Sequence, residues 1–382
     1  MSLNAAGSSL ESLKALVQST TSLIIQFEKN LYSVAFDQDL PDSSTPIPAR
    51  GDDIASVDAL SLAHDSASLV KAHSTKLSLL IINEPFTPSA ITRVLQELVA
   101  GPIPAIASAA HHYSADTYTA VARQDLASRC YRVLKELRGL VATVPLDGKI
   151  LPANRKNGGS GGKGSIVTTG LIWAACDDVI LLKTLGIAGL LVKKAEEYRD
   201  TLQDVLEELK EWSEEVDEEE DEEEEENQNM QHITNELQNT HFSTQRMIDD
   251  LMTSRRIPRN DPDRIRERLD SCIKRLRLTT LLYSAIIKRR IKTLPSLPTK
   301  QATNVAQRLD EVYLILQRLP HSYGDVACAF YELDAGAIDE AMDSCLFDAC
   351  AVAEALKAPW TGTEDGFTEW ADKFKTSVRK ND

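Results

Sequence analysis

Aromatic residues make up only 5% of this chain. Leu and Ala carry most of its apolar surface, which excludes the Val, Ile, Tyr, Phe and Trp enrichment of sheet proteins and favours helix packing. Cysteines at CxxC spacing are absent, and so is HExxH, so no zinc-site pattern is met. The cysteines at 130, 176, 272, 328, 345 and 350 are expected to be small buried hydrophobes in a reducing compartment, all but Cys130 at apolar helix positions. No basic segment followed by an apolar one opens the chain, so no signal peptide is expected. Long apolar runs are also missing. The most apolar window, Val179 to Val192, is interrupted by Lys183 and falls short of the ~20 residues that cross a bilayer, so it reads as a core helix.

What is abundant is local charge. The net charge of −16 belongs almost wholly to Glu196–Glu226, which hold 19 acidic and 2 basic side chains and leave the remainder close to neutral. From Glu214 to Glu226, 12 of 13 residues are acidic. Mutual repulsion and the lack of apolar side chains predict a disordered loop over 214–229. From Arg246 to Lys292 there are 14 basic and 6 acidic residues. Tyr283 is the one aromatic there and the basic positions alternate with an apolar stripe, so this reads as a solvated helix face and not as a nucleic-acid reader.

Apolar residues recur at helical spacing nearly throughout. Ser8-x-x-Glu11 has the form of a capping box, followed by Leu10, Leu13, Val17, Thr20, Ile24, Phe27, Leu31 and Val34 on one face. A second helix is expected over about 52–83 and a third from Thr87-Pro88, since proline is tolerated at a first helical position. Gly101-Pro102 breaks the third, and a further helix covers about 116–144. Residues 152–165 have linker composition. A long helix follows from Ile166 to Trp212, then helices over about 230–256, from Asp261-Pro262 to about 292, and over 299–319, 323–357 and 364–378. No segment alternates at period two. The fold class expected is all-α: an up-and-down bundle of long antiparallel helices with extra C-terminal helices. Residues 1–213 form its N-terminal region and 230–382 its C-terminal helices, the latter packing on the same bundle or apart from it.

Catalytic patterns fail on context. Gly158 to Gly162 matches GxSxG, yet a nucleophile elbow needs a strand before it and a helix after it, and this one sits in linker. Gly162-Lys163-Gly164 lacks the Ser or Thr that a phosphate loop places after its lysine. His111 and His112 are adjacent and point in different directions on a helix. No enzyme activity and no cofactor is expected.

The stretch Thr169 to Asp177 carries a Gly-x-x-Trp-x-x-Cys-Asp pattern, formed by Gly170, Trp173, Cys176 and Asp177 and followed by Asp178. It opens the long helix that runs into the acidic tract. Pattern and layout, to about residue 355, resemble the Grap2 and cyclin-D-interacting proteins, also called cyclin-D-binding or Maid-like proteins. The resemblance implies a bundle similar to those of vinculin and talin. It also implies an adaptor for cyclins and helix-loop-helix factors that restrains cell-cycle progression and transcription. A leucine zipper, often ascribed to the family, is not supported: the heptad seam Leu171, Asp178, Leu185, Val192, Arg199, Leu206 is broken twice by charge.

Read by itself, the motif is either a packing hub, with a small residue beside a large one to admit a neighbouring helix, or a partner contact; the hub is the reading favoured. The acidic run reads as a solubilising loop, as an intramolecular partner for the basic helix, or as a docking site, and Glu214, Glu215, Asp217, Glu218, Glu219, Glu220, Asp221 and Glu222 are the candidate docking loop for a basic nuclear protein. The expectation is therefore a protein-binding regulator of cytoplasm and nucleus, without direct nucleic-acid or membrane binding. A cytoskeletal or adhesion-type scaffold is the alternative.

Overall fold

The computed structural model describes residues 2–36, 58–115, 118–152, 164–230, 257–258, 260–295, 297, 305–360 and 365–379. The described residues form helices and no strand: α1 (Ser2–Phe36), α2 (Ala59–Ile82), α3 (Pro88–Ala100), α4 (Pro102–His112), α5 (Ala120–Ala142), α6 (Ser165–Met230), α7 (Ile265–Ile286) with a π-helical turn at Ile287–Ile291, α8 (Val305–Glu332), α9 (Ala335–Ala355) and α10 (Gly366–Arg379). Two compact units result, one of Met1–Leu190 with Leu297–Gln307, the other of Leu191–Ser296 with Arg308–Asp382.

In the first unit α1 packs on α5 and α3, and α2 on α4 and α3. Their inward stripes, among them Leu13, Ile24, Leu77, Leu95, Leu134 and Leu137, join one apolar core with Ile172, Cys176 and Val179 of α6. Thr87-Pro88 starts α3 as expected, and Gly101-Pro102 ends it by starting α4, with proline in the first turn of both. Three boundaries differ from expectation. Helix α1 begins at Ser2, so Ser8 and Glu11 lie inside it and do not cap it. Helix α2 is capped by Asp58, whose side chain accepts from Leu60 N. A separate helix, α4, fills part of the stretch before α5.

Helix α6 was expected to be continuous, but Gly186 interrupts it with φ 63° and ψ −177°, a conformation that glycine adopts without a Cβ penalty. Beyond Trp212 its backbone stays helical to Met230 in place of the expected loop; Glu is a good helix former, and helical φ/ψ does not require apolar burial at every turn. The expected helix at 230–256 and the Gly-rich residues 153–163 lie outside the described residues.

In the second unit α6 buries Leu202, Leu209 and Trp212, and α7, α8, α9 and α10 supply the rest of the core. The N-cap of α7 is Arg264, with φ 52°, and not Asp261; Asp261 still satisfies first-turn donors, accepting from Ile265 N at 2.7 Å and Arg266 N at 2.9 Å, and Pro262 lies outside the helix. The break expected between 319 and 323 does not occur: Pro320 sits within α8. A proline cannot donate to the carbonyl four residues back. The buried hydroxyl of Tyr283 donates to that carbonyl, Leu316 O, at 2.6 Å instead. The real break is at Leu333, with φ 58°, and Asp334, which caps α9.

Arg290, in the π-helical turn, is only 1% exposed. Its guanidinium donates to the carbonyls of Leu356 and Lys357, past the end of α9, at 2.7 and 2.8 Å, and to both carboxylate oxygens of Asp365 at 2.7 and 2.9 Å. It also lies 4.4 Å from the ring centroid of Phe367. This one side chain fixes where α9 stops and α10 starts. The cysteines are buried as expected, Cys130 included, except Cys328, which is exposed.

Candidate partner-binding face

The first half of α6 is a helix with two apolar sides. Thr168 and Thr169 bond back to the carbonyls of Gly164 and Ser165 at 3.1 and 2.7 Å, tightening its first turn. Ile172, Ala175, Cys176, Val179 and Leu182 face the core. Ile166, Val167, Gly170, Trp173, Ala174 and Leu181 face outward. The motif residues are thus divided. Each step of three residues falls about 60° short of a full turn, so Cys176 lies about 120° around the helix from Gly170. That rotation takes the cysteine inside and leaves the glycine and tryptophan outside.

The packing-hub expectation is corrected on this point. A Cβ on Gly170 would meet nothing within 4 Å among the described residues, and Trp173 is 41% exposed. No helix among the described residues is received there. Burial pushes the Cys176 thiol up to about 12, as it does that of Cys130, so neither offers a thiolate.

What holds Trp173 in place comes from α2. Its indole N–H donates to Thr75 Oγ1 at 3.0 Å, and the Thr75 hydroxyl donates in turn to Lys71 O at 2.8 Å. Lys71 Nζ lies 6.0 Å from the tryptophan ring and 2.6 Å from Asp177 Oδ1. Asp178 ties the opposite side of α6 to α5: its Oδ2 accepts from Arg132 at 2.9 Å and its carbonyl from Arg129 at 3.0 Å. The consecutive aspartates therefore brace α6 between two helices, and the tryptophan is left presented at the surface. Leu69, Ala72 and Leu79, the outward positions of α2, are exposed as well.

Of these residues the sequence reading singled out Gly170, Trp173, Cys176, Asp177 and Asp178. It missed Lys71, Thr75, Leu69, Leu79, Ile166, Val167 and Leu181. A signal existed for the last three: the apolar arc of α6 is too wide for one buried stripe.

The acidic candidates fall elsewhere on α6. Glu197, Asp200, Asp204, Glu207, Glu211 and Glu214 line its exposed side at steps of three and four. For Glu215, Asp217, Glu218, Glu219, Glu220, Asp221 and Glu222 the helical backbone is described and the side chains are not. No cluster of His, Cys, Asp and Glu among the described residues could hold a metal ion. No helix there is long and apolar enough to cross a membrane.

The family model described as Grap2 and cyclin-D-interacting, N-terminal, matches residues 63–215. The matched stretch runs from α2 to the acidic part of α6 and contains the whole Trp173 face. No curated protein matches the chain. The family is described by an interaction and not by a reaction, and over residues 63–215 the chain is similar to the N-terminal part of the Grap2 and cyclin-D-interacting family.

Proposed function

We propose that this protein is a non-enzymatic helical adaptor that docks a D-type cyclin on the outward face of α6 and α2. By occupying that partner it modulates the cell cycle, or transcription where a helix-loop-helix factor is bound instead, in cytoplasm and nucleus. The observation that carries the reading is the exposure of Trp173 within the segment matched by the family model. Tryptophan is the residue most enriched among binding hot spots, and it contributes most when a partner completes its burial. Here it is already held by Thr75 and Lys71, so little side-chain freedom is lost on docking. Ile166, Val167 and Leu181 of α6 and Leu69 and Leu79 of α2 are further exposed apolar side chains, of the kind an amphipathic helix covers. The bundle we infer is of the up-and-down vinculin and talin type, with the acidic part of α6 steering basic partners toward it.

The test is affinity capture from cell extract with protein identification by mass spectrometry, using the intact chain and Trp173→Glu at low and moderate salt. Recovery of cyclins or helix-loop-helix factors by the intact chain alone is the expected result. Recovery of actin-linked or adhesion proteins by both versions would replace the adaptor by a scaffold.

A further inference from the structure

The second unit carries a second surface, outside the residues matched by the family model. Between Asp270 and Asp310 the sequence contains no carboxylate. Over that stretch Lys274, Arg277, Lys288, Arg289 and Lys292 are all exposed, and none forms an ion pair among the described residues. This is not the habit of the unit. Arg268 is paired with Asp339, Arg290 with Asp365, Arg318 with Asp348, Lys357 with Asp372 and Lys375 with Glu354.

The unpaired cations are ordered. Lys274, Arg277, Leu281, Ser284 and Lys288 follow one another at steps of three and four, which places them on one helix face. Leu281 is 56% exposed in the middle of that row. Beside it, α7 with its π-helical turn and the start of α10 enclose a cleft of about 320 Å³, lined by Leu281, Ala285, Phe367 and Trp370 and rimmed by Lys288 and Arg289. Trp370 is half-buried, lies 5.6 Å from Phe367 and 5.5 Å from Phe374 between ring centroids, and is held by both. Glu369, next to it on α10, is exposed and is not among the residues that line the cleft.

We propose that this cleft docks a short acidic helical segment of a protein partner, one apolar side chain seated on Trp370 and flanking carboxylates on Lys288, Arg289 and the row toward Lys274. The volume lies at the low end of pocket sizes, about 300–1,000 Å³, which fits a side-chain anchor better than a whole cofactor. Cations at helical spacing match carboxylates at helical spacing, and complementary charge of this kind sets register and speeds encounter. An anionic membrane would meet the same charge. It would require the apolar groups to stand proud of the surface, whereas Phe367 is buried and Trp370 is half-buried in the lining of the cleft.

The test uses the full chain and a fluorescein-labelled helical peptide of about fifteen residues, with one central Phe and Glu at the positions three and four residues to either side. A Gln-for-Glu peptide, a peptide with Ala for Phe and phosphatidylserine vesicles serve as comparisons. Binding is read by fluorescence anisotropy. The Glu peptide is expected to bind, to weaken with salt, and to lose at least tenfold in affinity with either altered peptide. The same loss is expected for K288E/R289E, exposed changes whose folding is checked by circular dichroism, and for Trp370→Ala. Equal binding of the Glu and Gln peptides, or undiminished binding to K288E/R289E, overturns the proposal. Binding to vesicles and not to the peptide replaces it by a membrane surface. Peptide binding that appears only after deletion of 214–226 would assign the cleft to the chain's own acidic segment and overturn a partner in trans.

Discussion

The hydroxyl of Tyr283 donates to the carbonyl of Leu316 at 2.6 Å, and Leu316 is the residue whose helical partner would be the missing N–H of Pro320. One buried side chain on α7 thereby completes a hydrogen bond that the sequence of α8 cannot make, and α8 runs through its proline. Tyr323 and Tyr313 are used alike. The hydroxyl of Tyr323 pairs with Thr279 at 3.0 Å, and that of Tyr313 donates to Leu191 O at 2.6 Å. Burial raises all three phenols above their ordinary value, so they keep their protons at neutral pH.

Tyr283→Phe should therefore cost about 1–3 kcal/mol, the penalty for leaving a buried carbonyl unsatisfied with almost no change in shape. Urea unfolding followed by circular dichroism measures it. A change under about 0.5 kcal/mol would mean that the carbonyl finds water and that the tyrosine does not sustain α8 across Pro320.

Trp173→Ala should lower stability by about 1 kcal/mol, well under the roughly 3–5 kcal/mol of a fully buried aromatic. The ring is 41% exposed and its contacts to Lys71 and Thr75 lie at the surface. The same unfolding experiment decides the point, and a loss above about 3 kcal/mol would restore the packing-hub reading.

The Asp365 carboxylate is held well below its ordinary value by the Arg290 guanidinium, helped by the backbone N–H groups of Thr368 and Phe367. A folded value below the unfolded one means that the unfolded chain takes up the proton first. The contribution is complete above the ordinary 3.8 and is lost as pH falls below it. Asp365→Asn should remove this part of the acid dependence. Asp365→Ala should cost about 1–3 kcal/mol, less than a fully buried pair because the aspartate is 40% exposed and water can replace it. Hydrogen exchange of 366–379 should rise in both variants, and unchanged protection of α10 would contradict the anchoring role of Arg290.

Gly186 has open space around its Cβ position, so any effect of Gly186→Ala is a backbone effect. At φ 63° and ψ −177° an alanine is strained by about 1–3 kcal/mol, and the melting temperature should fall. A rise would show that the two segments of α6 join as one straight helix, since alanine favours that state.

The all-helical class and most element positions could be read directly, because burial stripes such as Leu13, Val17, Ile24 and Leu31 repeat at helical spacing. Where the reading failed, the deciding group was distant in sequence. Pro320 looks like a helix end until Tyr283, far upstream, supplies the missing bond. Gly186 resembles any helix glycine, because φ has no signature in one residue type. Trp173 was placed in the core because a tryptophan among apolar residues usually is buried; that α2 holds it from outside, through Thr75 and Lys71, is a tertiary fact. The motif was legible as a motif, and its orientation was not.

The most direct measurement is an isothermal titration of a purified D-type cyclin into the full chain, into Trp173→Glu, and into Phe347→Glu as a control at an exposed apolar residue of α9, outside the residues matched by the family model. Binding by the full chain and by the control, with at least a tenfold loss for Trp173→Glu and unchanged circular dichroism in all three, is the result predicted. Equal binding by the full chain and Trp173→Glu would contradict the claim that this face of α6 is the docking surface.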